Sequence, residues 1–155
     1  MSRLRIAFIF LLSVVSFSAC EKDDICTQNP LTPNLVLRFY DVENPLEFKD
    51  VISLYVWAKD KDTLADYKKA NTDSIAIPLN SDAKETIYKL SNGTDINELR
   101  IVYTTEAGYV SRSCGFKIIY NDLLFNSDNT WIASITPENL NSIENQNAAH
   151  VQIFH

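Results

Sequence analysis

Residues 86–103 read TIYKLSNGTDINELRIVY, and this stretch decides the fold class. Every second position on each side of Asn92-Gly93 falls on one side of a pleated strand. These positions are Thr86, Tyr88 and Leu90 before the turn, and Leu99, Ile101 and Tyr103 after it. Asn-Gly between two alternating runs is a strong hairpin signal, because both central residues of the tight turn take positive φ. The stretch therefore predicts an antiparallel β-hairpin.

Similar strand patterns lie on both sides of this hairpin. The predicted strands centre on residues 35–40, 51–59, 75–79, 109–125, 131–135 and 151–154. In the second of these, Ile52, Leu54 and Val56 share one face, and residues 106–108 predict a turn before the long fourth run. Helical periodicity is weak, and Thr136-Pro137-Glu138 is the one candidate cap, for a short helical stretch with Leu140 and Ile143 on one side.

Seven or eight short strands separated by turn signals favour an all-β fold, an immunoglobulin-like β-sandwich. A small closed β-barrel is the alternative.

The N-terminus has the architecture of a secretion signal that ends at a lipid-attachment cysteine. Two arginines precede an apolar run over residues 6–17, and Ser18-Ala19 come directly before Cys20. The run is too short to cross a bilayer, which takes about 20 apolar residues. We expect lipidation at Cys20. A plain signal peptide cleaved after Ala19 is the alternative, since Phe17 stands where such signals usually carry Leu or Val.

This architecture predicts three regions. Residues 1–19 form the signal peptide, residues 20–33 a lipidated acidic tether, and residues 34–155 one folded domain. Cys20-Glu21-Lys22-Asp23-Asp24 resembles the export tag of surface lipoproteins of Bacteroidota. The resemblance implies an outer-membrane protein and favours display on the cell surface over a position facing the periplasm. The same residues are also typical of a solvated linker.

Net charge and cysteine content indicate which partners and which compartment to expect. The chain has a net charge of -6, and it has no basic cluster, which argues against nucleic acid as a partner. If Cys20 carries lipid, Cys26 and Cys114 are left over in an oxidising compartment. Parity and compartment favour a disulfide between them, and two free thiols are the alternative.

The sequence contains none of the short motifs that mark common enzymes. It has no Gly-rich phosphate loop, no H-E-x-x-H, no paired C-x-x-C and no G-x-S-x-G. His150 and His155 are five residues apart, so they point to opposite faces of a strand. We expect no enzymatic activity, no cofactor and no metal site. A pair of carboxylates for glycoside hydrolysis remains open, because acids are abundant.

Three side chains form a candidate ligand or partner face. Tyr55 and Trp57 share one face of a predicted strand, where an aromatic pair stacks on sugar rings or seats a protein. Coverage by a second sheet or a loop is the structural alternative. Arg112 is in phase with apolar neighbours, which predicts an ion pair or a ligand contact for its guanidinium.

Two short segments match the Asp-hydroxyl-apolar pattern of O-glycosylation in Bacteroidota. They are Asp62-Thr63-Leu64 and Asp73-Ser74-Ile75. Thr63 is the better candidate, because it lies in a predicted polar loop whereas Ser74 begins a predicted strand.

Several segments together resemble a family of short, uncharacterised Bacteroidota outer-membrane lipoproteins. They are Cys26 with Thr32-Pro33, residues 109–115, Trp131-Ile132 and His150-Val151. The resemblance implies an exported lipoprotein without an assigned reaction.

These observations predict a non-enzymatic, lipid-anchored accessory or interaction module of the envelope. Its partners would be the membrane, through the lipid, and an outer-membrane protein or an envelope glycan. The alternatives are a glycan-binding module that uses the aromatic face, and a small hydrolase.

Overall fold

The structure, a computed structural model, describes Cys26 and residues 32–155. The described residues form ten β-strands: β1 Leu35–Tyr40, β2 Val51–Ala58, β3 Thr63–Thr72, β4 Ser74–Ile77, β5 Glu85–Ser91, β6 Ile96–Ser111, β7 Gly115–Ser127, β8 Ser134–Thr136, β9 Asn139–Ile143 and β10 Val151–Phe154. The predicted signal peptide, Cys20 and most of the predicted tether lie outside the described residues.

The strands form two sheets, with orders β4-β1-β10-β8 and β3-β2-β5-β6-β7-β9. Apart from the parallel pair β1 and β10, neighbouring strands are antiparallel. The predicted all-β sandwich is confirmed, with ten strands rather than seven or eight. The barrel alternative is wrong, because the described strands make two open sheets.

Alternation along the strands places one side of each sheet in a shared core. On β1, Leu35, Leu37 and Phe39 are fully buried, and on β6, Leu99 and Ile101 are buried in the same cluster. Burial of such side chains is worth roughly 1.5–3 kcal/mol each, so the inner faces hold the two sheets together. The outer face of the six-stranded sheet is left partly exposed.

The predicted hairpin around Asn92-Gly93 forms, with a longer loop than expected. β5 pairs with β6 from Ser91 opposite Ile96, which leaves residues 92–95 as the connection. Gly93 takes a φ of 93°, and the Asn92 side-chain oxygen accepts hydrogen bonds from the N–H groups of Thr94 and Asp95. The Asn side chain therefore closes a four-residue loop rather than occupying a two-residue turn.

Three local predictions are wrong. No turn forms at residues 106–108, because β6 continues to Ser111 and the chain reverses at residues 112–114 instead. Residues 136–143 comprise the last residue of β8, a short connection and strand β9, not a helical stretch. Ile52 is 60% exposed, because Ser53 takes a φ of 56° at a register shift that reverses the alternation expected along β2.

The outer parts of β6 and β7 extend beyond the body of the sandwich as one hairpin. Its tip carries Cys114, which forms the predicted disulfide with Cys26. Thr32 is also attached to this hairpin, because its hydroxyl oxygen accepts a hydrogen bond from the Ile118 N–H at 3.1 Å. Cys26 and Thr32, which both precede β1 in sequence, are therefore both attached to this hairpin.

Candidate functional site

The outer face of β2 presents the predicted aromatic pair. Leu54 and Val56 point into the core, and the alternation places Tyr55 and Trp57 on the opposite side. Both aromatic side chains are half-buried. The four-stranded sheet packs on the other side of β2, so the aromatic rings belong to the surface and not to the core.

These rings line a shallow groove of about 380 Å³, which we call the aromatic groove. Its lining residues are Tyr55, Trp57, Lys61, Asp62, Thr63 and Ser91. Strand pairing brings these residues together, because Trp57 is opposite Thr63 on β3 and Tyr55 is opposite Ser91 on β5. Two strands that are far apart in sequence therefore place polar groups beside the aromatic pair.

The aromatic groove combines ring faces with hydrogen-bonding groups. Lys61 and Asp62 supply a cation and a carboxylate at its rim, and Ser91 supplies a hydroxyl. Within the described residues, neither the Tyr55 hydroxyl nor the Trp57 indole N–H bonds to protein, whereas the Trp131 indole N–H donates to the Leu90 carbonyl. Amphipathic rings with open polar edges can stack on an apolar ligand face and bond to its hydroxyls.

Arg112 does not belong to this groove. It is exposed in the turn between β6 and β7, and the ion pairs found among the described residues do not include it. The turn at residues 112–114 takes Arg112 out of the strand alternation, and a ligand or partner contact of its guanidinium stays a prediction.

The two hydroxyl residues of the glycosylation pattern have different environments. Thr63 is the first residue of β3, not a loop residue, and it lines the aromatic groove. Ser74 begins β4, and its hydroxyl donates to the Leu37 carbonyl at 3.3 Å. Thr63 is therefore the more available of the two, and glycosylation of either remains a prediction.

A larger groove of about 540 Å³ shares Lys61 with the aromatic groove. Asp60 and Glu85 both line it, together with Lys59 and Lys61. The Glu85 carboxylate is ion-paired with Arg100 at 2.5 Å, so one of the two acids already has a cationic partner. Asp60 and Glu85 are the two acids that line this groove, and no histidine lines it.

Both histidines form hydrogen bonds with backbone groups. The Nδ1 atom of His150 accepts the Val36 N–H at 2.9 Å, so Nε2 carries the proton and donates it to the Asn145 carbonyl at 2.7 Å. Burial lowers the pKa of His150, and burial likewise lowers the pKa of His155. Both therefore serve as neutral hydrogen-bonding groups near the last strand.

The described residues contain no cluster of three or more His, Cys, Asp or Glu side chains placed to hold a metal ion. In the same part of the chain, no helix has the length and apolarity needed to cross a membrane.

Residues 53–155 of the chain match the model of a family of unknown function, DUF6452. The chain belongs to this family. The DUF6452 segment includes Tyr55, Trp57 and Cys114, and it excludes Cys26 and β1. No curated protein and no solved structure matches the chain.

Sequence reasoning found the two aromatic residues of this DUF6452 protein but missed their polar neighbours. Lys61 and Asp62 come from the β2–β3 connection, and Ser91 ends β5. Only the strand order brings Ser91 beside Tyr55. A period-two pattern shows which face a residue takes but not which strand lies next to it.

Proposed function

We propose that this protein is a lipid-anchored, non-enzymatic binding module of the Bacteroidota cell envelope, held at the outer membrane through Cys20. The observation that supports this most is the disulfide between Cys26 and Cys114. Because it takes up two of the three cysteines, Cys20 is left as the single thiol, directly after the small pair Ser18-Ala19. The disulfide also agrees with an oxidising compartment.

Metabolic labelling with an alkyne fatty acid tests the anchor. Full-length protein is expected to carry the label, and Cys20→Ser is expected to lose both the label and its place in the membrane fraction. The matched control is the double variant Cys26→Ser with Cys114→Ser, which loses the disulfide but keeps the label. A labelled, membrane-bound Cys20→Ser variant would overturn the proposal.

Protease treatment of intact cells tests the position on the surface. We propose that residues 21–24 direct export, so wild-type protein is expected to be degraded from outside. A variant with alanine at Lys22, Asp23 and Asp24 is expected to keep its lipid and become protected inside the cell. Protection of the wild-type protein would place it on the periplasmic side.

A second candidate function, glycan binding, is favoured by the aromatic groove. Tyr55 and Trp57 offer stacking surfaces of the size of a sugar ring, and Lys61, Asp62 and Ser91 offer hydrogen bonds around them. Such a site would let the anchored module hold an envelope polysaccharide without cleaving it.

Titration with oligosaccharides of the envelope tests this second candidate. Trp57→Ala is expected to weaken binding at least tenfold, which corresponds to about 1.4 kcal/mol. Tyr109→Ala is the matched control, because Tyr109 is an exposed aromatic residue outside the groove. Equal binding by both variants would exclude the groove, and release of shortened oligosaccharides would favour a hydrolase.

A further inference from the structure

We propose that the tip of the β6–β7 hairpin docks on the lipid surface through Tyr109 and Phe116. The inference rests on the lipid anchor proposed above and adds an orientation to it. In this orientation the domain contacts the membrane at two places, through the lipid and through this aromatic pair.

Tyr109 and Phe116 form an exposed apolar projection. They are directly opposite each other in the hairpin, with ring centroids 5.5 Å apart. Tyr109 is 61% exposed and Phe116 is 66% exposed. On β7, Phe116 shares its face with Ile118 and the buried Tyr120, so the pair continues the apolar face of the sheet beyond the core.

The covalent structure brings this projection to the membrane. The disulfide joins Cys26 to Cys114, two residues before Phe116, with 4.9 Å between the Cα atoms. Cys26 follows Cys20 by only six positions, which is about 20 Å at full extension. The hairpin tip is therefore held within about 20 Å of the acyl chains and cannot turn far from the surface.

The chemistry of the pair fits the headgroup region of a bilayer. Tyrosine is enriched there because its ring is apolar and its hydroxyl remains hydrated. Residues 107–121 include Arg112 and Lys117 and no acid, in a chain with a net charge of -6. The tether acids Glu21, Asp23 and Asp24 offset these cations, so we assign the docking to the rings and expect it in uncharged lipid.

Fluorescence quenching in vesicles tests the proposal with the lipidated full chain. Tyr109→Trp and Phe116→Trp each add an indole at the tip, and Ile96→Trp adds one at the other end of β6. Ile96 is 50% exposed, which makes it a matched control. Each protein is placed in phosphatidylcholine vesicles with or without bromine on the acyl chains. The wild-type signal of Trp57 and Trp131 is subtracted.

We expect bromine to quench the added emission several-fold more strongly in the tip variants than in Ile96→Trp, at low and high salt alike. Equal quenching of tip and control, or none at the tip, would overturn the docking. Intact mass of the same samples separates the two proposals. Protein without diacylglycerol refutes both, whereas lipidated protein with an unquenched tip refutes only the docking.

Discussion

Three buried tyrosines link the two sheets at the level of single residues. The hydroxyls of Tyr88, Tyr120 and Tyr103 donate to three consecutive carbonyls, those of Pro78, Leu79 and Asn80 respectively. Residues 78–80 follow β4 of one sheet, and the tyrosines lie on β5, β6 and β7 of the other. Burial raises the pKa of Tyr120 to about 12, which extends the pH range over which its hydroxyl can donate.

Removal of one of these hydroxyls should lower stability. Tyr120→Phe keeps the ring and leaves the Leu79 carbonyl without its donor, which is expected to reduce the free energy of unfolding by about 1–3 kcal/mol. Tyr109→Phe, at an exposed ring, should change it by less than about 0.5 kcal/mol. Urea unfolding measures both. Equal midpoints would show that the hydrogen bond contributes nothing.

His150 should give the fold a pH dependence. Burial lowers its pKa below the ordinary value of 6.5, so the unfolded chain binds the proton more readily than the folded one. Its contribution to stability is therefore complete above about pH 6.5 and declines as the pH falls. Melting temperatures between about pH 7.5 and 5 should decrease less steeply in His150→Asn than in wild type, with His155 retained in both. Parallel curves would contradict this assignment.

At the level of elements, the loop between β5 and β6 depends on particular residues. The loop at residues 92–95 needs the positive φ of Gly93, and a Cβ built there would approach the Ser53 Cβ to 3.2 Å. Asn92 fixes the same loop through its side-chain oxygen. The loop and the bulge at Ser53 are therefore packed together and set the register of β2, β5 and β6.

Gly93→Ala tests this dependence. Alanine is strained at positive φ and also meets Ser53, so we expect a loss of about 1–2 kcal/mol in the free energy of unfolding. Thr94→Ala, in the same loop, should be close to neutral. Guanidinium unfolding compares the two variants, and similar midpoints would contradict the proposed packing.

The disulfide acts on the molecule as a whole. It joins residues 88 apart in sequence, and in the chain-entropy model it stabilises the fold by roughly 4–5 kcal/mol. It also attaches Cys26 to the hairpin tip. It therefore restricts the conformations of the unfolded chain and, if Cys20 carries lipid as we propose, the movement of the folded domain relative to the membrane.

Titration of thiols tests whether the disulfide forms, and thermal unfolding with and without reductant tests whether it stabilises the fold. Protein with Cys20→Ser, unfolded without reductant, is expected to show no reactive thiol, and reduction should lower its melting temperature. Two reactive thiols would refute the bridge. An unchanged melting temperature would mean that the bridge constrains the tether and not the fold.

Local chemistry in the sequence determined the class of fold and the hairpin at Asn92-Gly93. Alternation and turn residues act over a few positions, so they can be recognised without the tertiary structure. The cysteine pairing, between residues 88 apart, was predicted instead from parity and from the expected oxidising compartment. The same local reasoning failed at residues 136–143, where pairing of β8 with β10 and of β9 with β7 outweighs a capping pattern.

Strand order, bulges and the length of the last hairpin were decided by the tertiary structure alone. The bulge at Ser53 exposes Ile52, and the turn at residues 112–114 exposes Arg112. The sheet order places Ser91 beside Tyr55, and the long β6–β7 pair presents Tyr109 with Phe116. Each depends on which distant strand supplies the hydrogen bonds, and a single strand's pattern of side chains does not encode that choice.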